Sequence, residues 1–418
     1  MGERKTMTDT DRHLSLDVLR GFAVMGILLL NIIGFSMPGA AYINPMAWGG
    51  TDPVNLAVWA VNFVLFDGKM RGLFSVLFGA SMLLIIRRAE ASGQSARSVH
   101  LNRMFWLFVI GSAHYIVLWW GDILVPYAIC GTIALLFVNK DVRGLLRWAV
   151  ILFTVYFLLS GLMVAGTWWQ ASQAIAPGAD AETIADAQKM LAGLGKPGSE
   201  EIATELALYE GGWMGIFRDN LSTYPDSLIN TLVLFTLDTI GMMLLGMAML
   251  KSGFILALWS PEMYRKVAIR GFAIGLIPMI ALAAWVAMSG FDPVITFGAF
   301  FAFSFPFRVV LTVAWAAALL LLVVRHRQSA LLARVAATGR AAFSNYLGTT
   351  VVMTFVFYGW GLGLFGSIER ITAMLFVVAA WALMLLWSKP WLERFRFGPA
   401  EWLWRSLARR RLQPMRLR

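Results

Sequence analysis

Long apolar runs constrain this chain more than any other feature. A helix of about 20 apolar residues crosses the roughly 30 Å hydrocarbon core of a bilayer. Lipid offers no partner for a free backbone N–H or C=O, so such a run must be helical. Runs of this kind cover roughly 16–37, 72–87, 103–120, 123–138, 147–169, 228–250, 267–289, 303–325, 341–362 and 369–388. They predict an all-α polytopic membrane protein with about ten transmembrane helices. The composition agrees: 59% of residues are hydrophobic and 14% charged, with a mean hydropathy of +0.69. Tryptophans near run ends (Trp48, Trp119, Trp120, Trp168, Trp169, Trp387 and Trp391) suit the headgroup region.

The distribution of bases predicts the topology. With the N-terminus inside, the inner segments hold 28 of the 35 Lys and Arg residues, from Arg4 and Lys5 to Arg418. Positive charge is retained on the cytoplasmic side, so both termini are expected there. The bases sit in short loops between spans, which excludes nucleic acid as the reason for the net charge of +11. The first run could instead be a cleaved signal peptide, since "MPGAA" follows it, but it is long for one and polar at both ends. Residues 54–66 are apolar but too short to span, and predict an interfacial or re-entrant helix on the outer side. Residues 170–227 form a polar insertion with helical stretches near 180–193 and 200–210, and Ser199 is placed as a cap. The chain thus divides into an N-terminal membrane half (1–169), an extracytoplasmic helical lid (170–227) and a C-terminal membrane half (228–418).

Ionisable and polar groups at membrane depth are functional candidates, weighed against helix–helix glue and snorkelling. In "LDVLRGFAVMGILLLN", Asp17, Arg20 and Asn31 fall on nearly one helix face. This stripe runs from the cytoplasmic surface to deep in the bilayer, and Asp17 and Arg20 can pair at i, i+3. Arg20 sits where an anionic phosphate arriving from the cytoplasm would meet it. His114 is the one histidine at mid-membrane depth. Asp122 follows eight residues later, about 80° around the helix, so the two cannot touch on a straight helix but could face one water-filled cavity. A structural His bonded to a neighbouring helix is the equal alternative.

Asp238 lies near the centre of a span, and Arg308 two turns into another. Each needs a partner or a cavity, and an Asp238–Arg308 pair is the structural option. Lys69 and Arg71, in "DGKMRG", are outer-end cations that would join them along a pathway. Ser344, Asn345 and Tyr346, with Thr349 and Thr350, cluster at the start of the ninth span. The threonines favour glue and Asn345 favours ligand contact.

Several readings fall away. "GLGLFG" (361–366) matches a dinucleotide fingerprint but has no strand before it. "GFAIG" (271–275) reads as a close helix contact. One deep His and the single Cys130 supply no metal site and no disulfide.

The chain resembles the YeiB family in "LDVLRGFAVMGILLLN", "KMRGLFSVLFGAS", "GSAHYIVLWWGDILVPYAICG", "GRAAFSNYLGTT" and "FGPAEWLWRSL", in order and over nearly its whole length. The C-terminal half of that family is a domain of unknown function. The N-terminal part also looks like the transmembrane acyltransferase superfamily, including the heparan-glucosaminide N-acetyltransferases. The resemblance implies a donor-side Arg at Arg20 and a polar group at Asn31, where one branch has a catalytic His. The heparan-type branch instead carries a His just after the first span, but here that loop, "PGAAYINPMAWGGTDP", has none. The base would then have to be His114, with Asp122 orienting the acceptor and Asn31 polarising the carbonyl.

The function expected on this basis is acyl transfer, from a cytoplasmic acyl-CoA-type donor to a small-molecule, lipid or glycan acceptor. It would occur in a bacterial cytoplasmic (inner) membrane, with no tightly bound cofactor. Membrane lipid is the expected partner, and a homodimer is compatible with the chain. The alternatives are a transporter or binding protein for an anionic or amphipathic molecule, with Asp238, Arg308 and Asn345 lining its path, and an inactive scaffold.

Overall fold

The computed structural model describes residues 9–417, so Arg4, Lys5 and Arg418 lie outside it. Its helices are α1 (Asp9–Ser36), α2 (Ala40–Ile43), α3 (Pro53–Leu65), α4 (Lys69–Ala91), α5 (Ala96–Val117), α6 (Leu124–Ala134), α7 (Val142–Ala174), α8 (Ala181–Gly193) and α9 (Glu200–Glu210). They continue as α10 (Trp213–Lys251), α11 (Pro261–Met288), α12 (Pro293–Gly298), α13 (Phe305–Arg325), α14 (Ala330–Arg340), α15 (Ala342–Phe357), α16 (Arg370–Arg394) and α17 (Pro399–Ala408). A π-helical turn (Ala299–Phe303) joins α12 to α13. Among the described residues there is no strand, only one isolated bridge between Phe395 and Arg416.

Seven helical segments are long and apolar enough to cross a membrane: Leu14–Ser36, Pro53–Ala91, Val142–Ala174, Trp213–Lys251, Pro261–Met288, Phe305–Arg325 and Arg370–Arg394. The other expected runs are helical too but differ in kind. Helix α5 starts seven residues before its apolar run and carries Arg97, His100 and Arg103 in its first turns. The apolar stretch through α6, Leu124–Phe137, and helix α15 are short. The 13-residue α3 is capped by Asp52, which accepts from Val54 N at 2.9 Å. It meets α4 through a three-residue break in which Gly68 takes φ +69°, a left-handed turn that a side chain would strain.

Helices α8 and α9 lie within the polar insertion. Asp180 caps α8 by accepting from Thr183 N at 2.7 Å. Ser199 occupies the cap position of α9, but its hydroxyl is buried without a partner and makes no cap bond. The insertion also ends sooner than its polarity suggests, because α10 begins at Trp213 and runs 39 residues without interruption.

Helix α1 is central. It packs against α4, α13, α14, α15 and α16, while α10 packs against α4 and α7, and α11 against α13. The contact between α1 and α14 is backbone on backbone. A Cβ at Gly21 would run into the Val335 carbonyl, and one at Gly339 into the Asp17 carbonyl. This approach brings Arg20 and Arg340 to the same end of the bundle. "GFAIG" behaves as read, with Gly271 seated against Ala314 of α13.

The α8–α9 insertion is tied to the loop after α1 by Glu205, whose two carboxylate oxygens accept from Gly39 N at 2.9 Å. Burial raises its carboxyl from 4.5 to about 7, against the lowering effect of the Gly39 bond. The folded protein therefore holds this proton better than the unfolded chain does. The resulting stability is full below pH 4.5 and lost as pH rises through about 7. The thermal midpoint of the purified protein should drop by a few degrees between pH 5 and pH 8. In Glu205→Gln that part of the slope should vanish.

Candidate functional site

The polar stripe on α1 opens onto a cavity of about 200 Å³ lined by α1, α4, α5, α6, α14, α15 and α17. Arg20 stands at its rim. Its Nη1 donates to Asp17 Oδ1 at 3.0 Å, the expected i, i+3 pair, and its Nη2 to Ser81 Oγ at 2.8 Å. Arg103, Arg340 and Arg405 come from three other helices to the same cavity. From this rim the walls turn apolar through Val24, Ile27, Leu77, Leu107 and Leu124 and close at Tyr346. Arg20 to Ile27 spans about 10 Å of helix. The shape is an apolar tunnel with a cationic mouth. Beyond it lies an open groove that shares Arg103 and Arg405 and adds Arg88, Arg97 and Arg409–Arg411.

Helix α17 forms one wall of the mouth. The Arg103 guanidinium lies 4.0 Å from the centre of the Trp404 ring, and Trp404 Nε1 donates to the Arg103 carbonyl at 3.0 Å. Glu401 caps the amino end of α15, accepting from Phe343 N at 2.7 Å and Ser344 N at 3.2 Å and from the Ser344 hydroxyl. Those free N–H groups and the helix dipole favour a carboxylate there, although burial holds it above the usual carboxylate range. Ser344 thus belongs to the α15–α17 joint rather than to a pathway.

Val24, Ile27 and Tyr346 separate the tunnel from a second space of about 10 Å³, lined by Asn31, Phe35, Thr349, Thr350 and Met384. That is room for about one water. The Asn31 amide makes no side-chain hydrogen bond among the described residues. Behind this space His114 Nδ1 meets Asp122 Oδ1 at 2.8 Å, and Nε2 meets Thr350 Oγ1 at 3.0 Å. All three side chains are buried.

His114 and Asp122, which could not touch on one straight helix, meet because the helix is broken between them. Helix α5 ends at Val117, and the turn through Leu118–Ile123 folds Asp122 back onto the ring. Asp122 Oδ2 also accepts from Val125 N at 2.9 Å, inside the first turn of α6. Nor do Arg20, Asn31 and His114 share one chamber. Arg20 lines the tunnel, Asn31 the small space, and His114 reaches the latter through Thr350. Tyr346 packs 5.3 Å from the imidazole, centre to centre, and its hydroxyl accepts from Ile123 N at 3.3 Å. Asn345 is helix glue. Its amide donates to the Thr338 carbonyl and Ser388 Oγ and accepts from Trp387 Nε1.

A second buried polar cluster lies around the "DGKMRG" turn. Asp238 pairs with Arg71 rather than with Arg308. Arg71 also donates to Thr239 Oγ1 at 3.2 Å. Arg308 donates to the Phe301 carbonyl at 3.3 Å, leaving its Nε without a partner. Lys69 is fully buried and donates to the Phe63 carbonyl at 2.6 Å. Asp238 Oδ1 and Asp67 Oδ2 are buried without partners.

Comparison with known proteins decides the kinship. The "Uncharacterized protein YeiB" of Escherichia coli (strain K12) is 32% identical over 97% of this chain and 98% of its own length. The chain belongs to the YeiB family. Another relative, the "Uncharacterized protein YxaH" of Bacillus subtilis (strain 168), is 31% identical over 96% of this chain and 95% of its own. The family described as "Protein of unknown function (DUF418)" matches residues 249–411. With its apolar helices and bacterial relatives, this YeiB-family chain is a multi-pass membrane protein of unknown function.

Sequence reasoning missed the tunnel residues His100, Arg103, Arg340, Glu401 and Arg405, and left Thr350 as glue. The available signal was charge at helix ends: three arginines and a glutamate, scattered over 300 residues, recur where apolar runs meet polar segments.

Proposed function

We propose that this protein transfers an acyl group from a thioester donor that enters through the arginine-rimmed mouth. The tunnel is the observation that carries the reading. Its cationic rim suits phosphate groups, and its apolar bore suits the chain of the same molecule. Arg20 is the donor-side cation. Tyr346 stands at the inner end, and beyond it Asn31 and the Asp122–His114 pair supply an amide donor and a base. The acceptor, a hydroxyl or amine on a small molecule, lipid or glycan, would approach from the opposite side.

This reading takes the seven long helices together with α5, the α6 stretch and α15 as ten spans. Both termini lie at the cytoplasmic face of a bacterial inner membrane. Its support is that the basic groove gathers residues from the loops expected inside. The halves 1–169 and 228–418 then meet at the tunnel, and the lid caps the outer face.

The test uses purified protein in lipid nanodiscs, given a long-chain acyl thioester of coenzyme A and a lipid extract. Free thiol should appear only with protein present, and an acylated product should accumulate. Saturable binding with the thioester intact would sink acyl transfer and leave a binding or transport protein. The buried Arg71–Asp238 pair and Arg308 favour that second reading, since charges at membrane depth mark solute paths.

A further inference from the structure

We infer that Thr350 is the acyl-accepting nucleophile, with His114 as its base and Asp122 as the positioning residue; the inference rests on the acyl-transfer reading. A carboxylate only accepts, so the 2.8 Å bond from Asp122 Oδ1 places the ring hydrogen of His114 on Nδ1. In the tautomer with its hydrogen on Nδ1, the imidazole presents a lone pair at Nε2, and the group facing it at 3.0 Å is the Thr350 hydroxyl. That hydroxyl has a competing acceptor, the Tyr346 carbonyl one turn back at 3.3 Å. Back-bonding of this kind satisfies a helical threonine without help. Asp122 also holds the first turn of α6 through Val125 N, but that bond uses Oδ2 and leaves Oδ1 for the imidazole. Nucleophile, base and orienting acid in hydrogen-bonded order are the arrangement of an activated hydroxyl.

The cavity adds an independent observation. Thr350 and Asn31 line the same small space, and the Asn31 amide is unbonded. An amide donor facing a nucleophile is placed to stabilise the oxyanion of a tetrahedral intermediate. Val24, Ile27 and Tyr346 line both this space and the tunnel, so one layer of side chains stands between an acyl chain and the hydroxyl.

The step balances. Thr350 Oγ gives its proton to His114 Nε2 and bonds to the thioester carbonyl carbon. The carbon–sulfur bond breaks, and the thiolate leaves with that proton. His114 then takes a proton from the acceptor, whose oxygen or nitrogen attacks the threonyl ester. Thr350 Oγ leaves and regains its hydrogen.

The experiment is a rapid quench of nanodisc protein with a palmitoyl thioester of coenzyme A, followed by intact mass and peptide mapping. Wild type should gain one palmitoyl mass on Thr350. Thr350→Val should lose the adduct and slow transfer by about 10²- to 10⁴-fold, with its thermal midpoint and donor affinity near wild type. Thr350→Ser, which keeps a hydroxyl, should restore the adduct. Wild-type rates in Thr350→Val, or an adduct mapped elsewhere, would overturn the inference while acyl transfer stands. Donor binding with neither adduct nor transfer in wild type would overturn both.

Discussion

Asp238→Ala is expected to cost about 3–5 kcal/mol of unfolding free energy, the usual penalty for removing one partner of a buried ion pair. Asp238 is 2% exposed and sits on α10, while Arg71 reaches it from α4. Truncating the acid leaves a guanidinium among Phe235, Thr239 and the α4–α10 interface with its counter-charge gone. The double variant Arg71→Leu/Asp238→Leu should lose much less, because two apolar side chains of similar bulk remove both desolvation penalties. Lys389→Ala is the control: the Lys389–Glu393 pair is surface-exposed at 3.8 Å, and such pairs contribute at most about 1 kcal/mol. Chemical unfolding in mixed micelles reads all three. Equal midpoints for Asp238→Ala and wild type would mean that Arg71, partly exposed, escapes to water, and that the pair holds no part of the fold.

That pair also shows where sequence reading stops. Asp238 stood out because a carboxylate inside an apolar run demands a partner, but nothing local tells Arg71 from Arg308 as that partner. The choice is made by the α4–α10 contact across 167 residues of chain. The helices themselves were legible, since hydrocarbon permits little else over 20 apolar residues. Their ends were less so. The stretch from Val117 to Trp120 is as apolar as the helix before it, and this hid the break that returns Asp122 to His114. Helix α17 was quoted as part of a resemblance, but its role came from a carboxylate, Glu401, capping a helix 58 residues earlier. The stripe of Asp17, Arg20 and Asn31 was legible from helical periodicity alone. That its two ends serve separate cavities depends on Val24, Ile27 and Tyr346, whose wall only tertiary packing builds.

On the proposed acyl-transfer reading, Arg20 and His114 should separate cleanly in kinetics, because that reading sets one against the donor's charged end and the other against the reacting end. Arg20→Ala removes a charge-assisted hydrogen bond worth about 1.5–3 kcal/mol. Donor KM should therefore rise about 10- to 100-fold, with kcat nearly unchanged. The rise should sit at the upper end, because Asp17 stays at the rim facing the incoming anion. Adding Asp17→Asn should recover part of it. His114→Ala should do the reverse, lowering kcat by about 10²- to 10⁴-fold with donor affinity near wild type, as loss of a general base does. Ionic strength gives the cross-check. The groove arginines lie in open solvent contact, so added salt should weaken donor binding in wild type and His114→Ala alike. It should leave the kcat ratio between those two proteins unmoved. If His114→Ala instead raised KM and kept kcat, the imidazole would be part of the binding wall. The Asp122–His114–Thr350 chain would then be a strut between α5 and α15, with no proton to move.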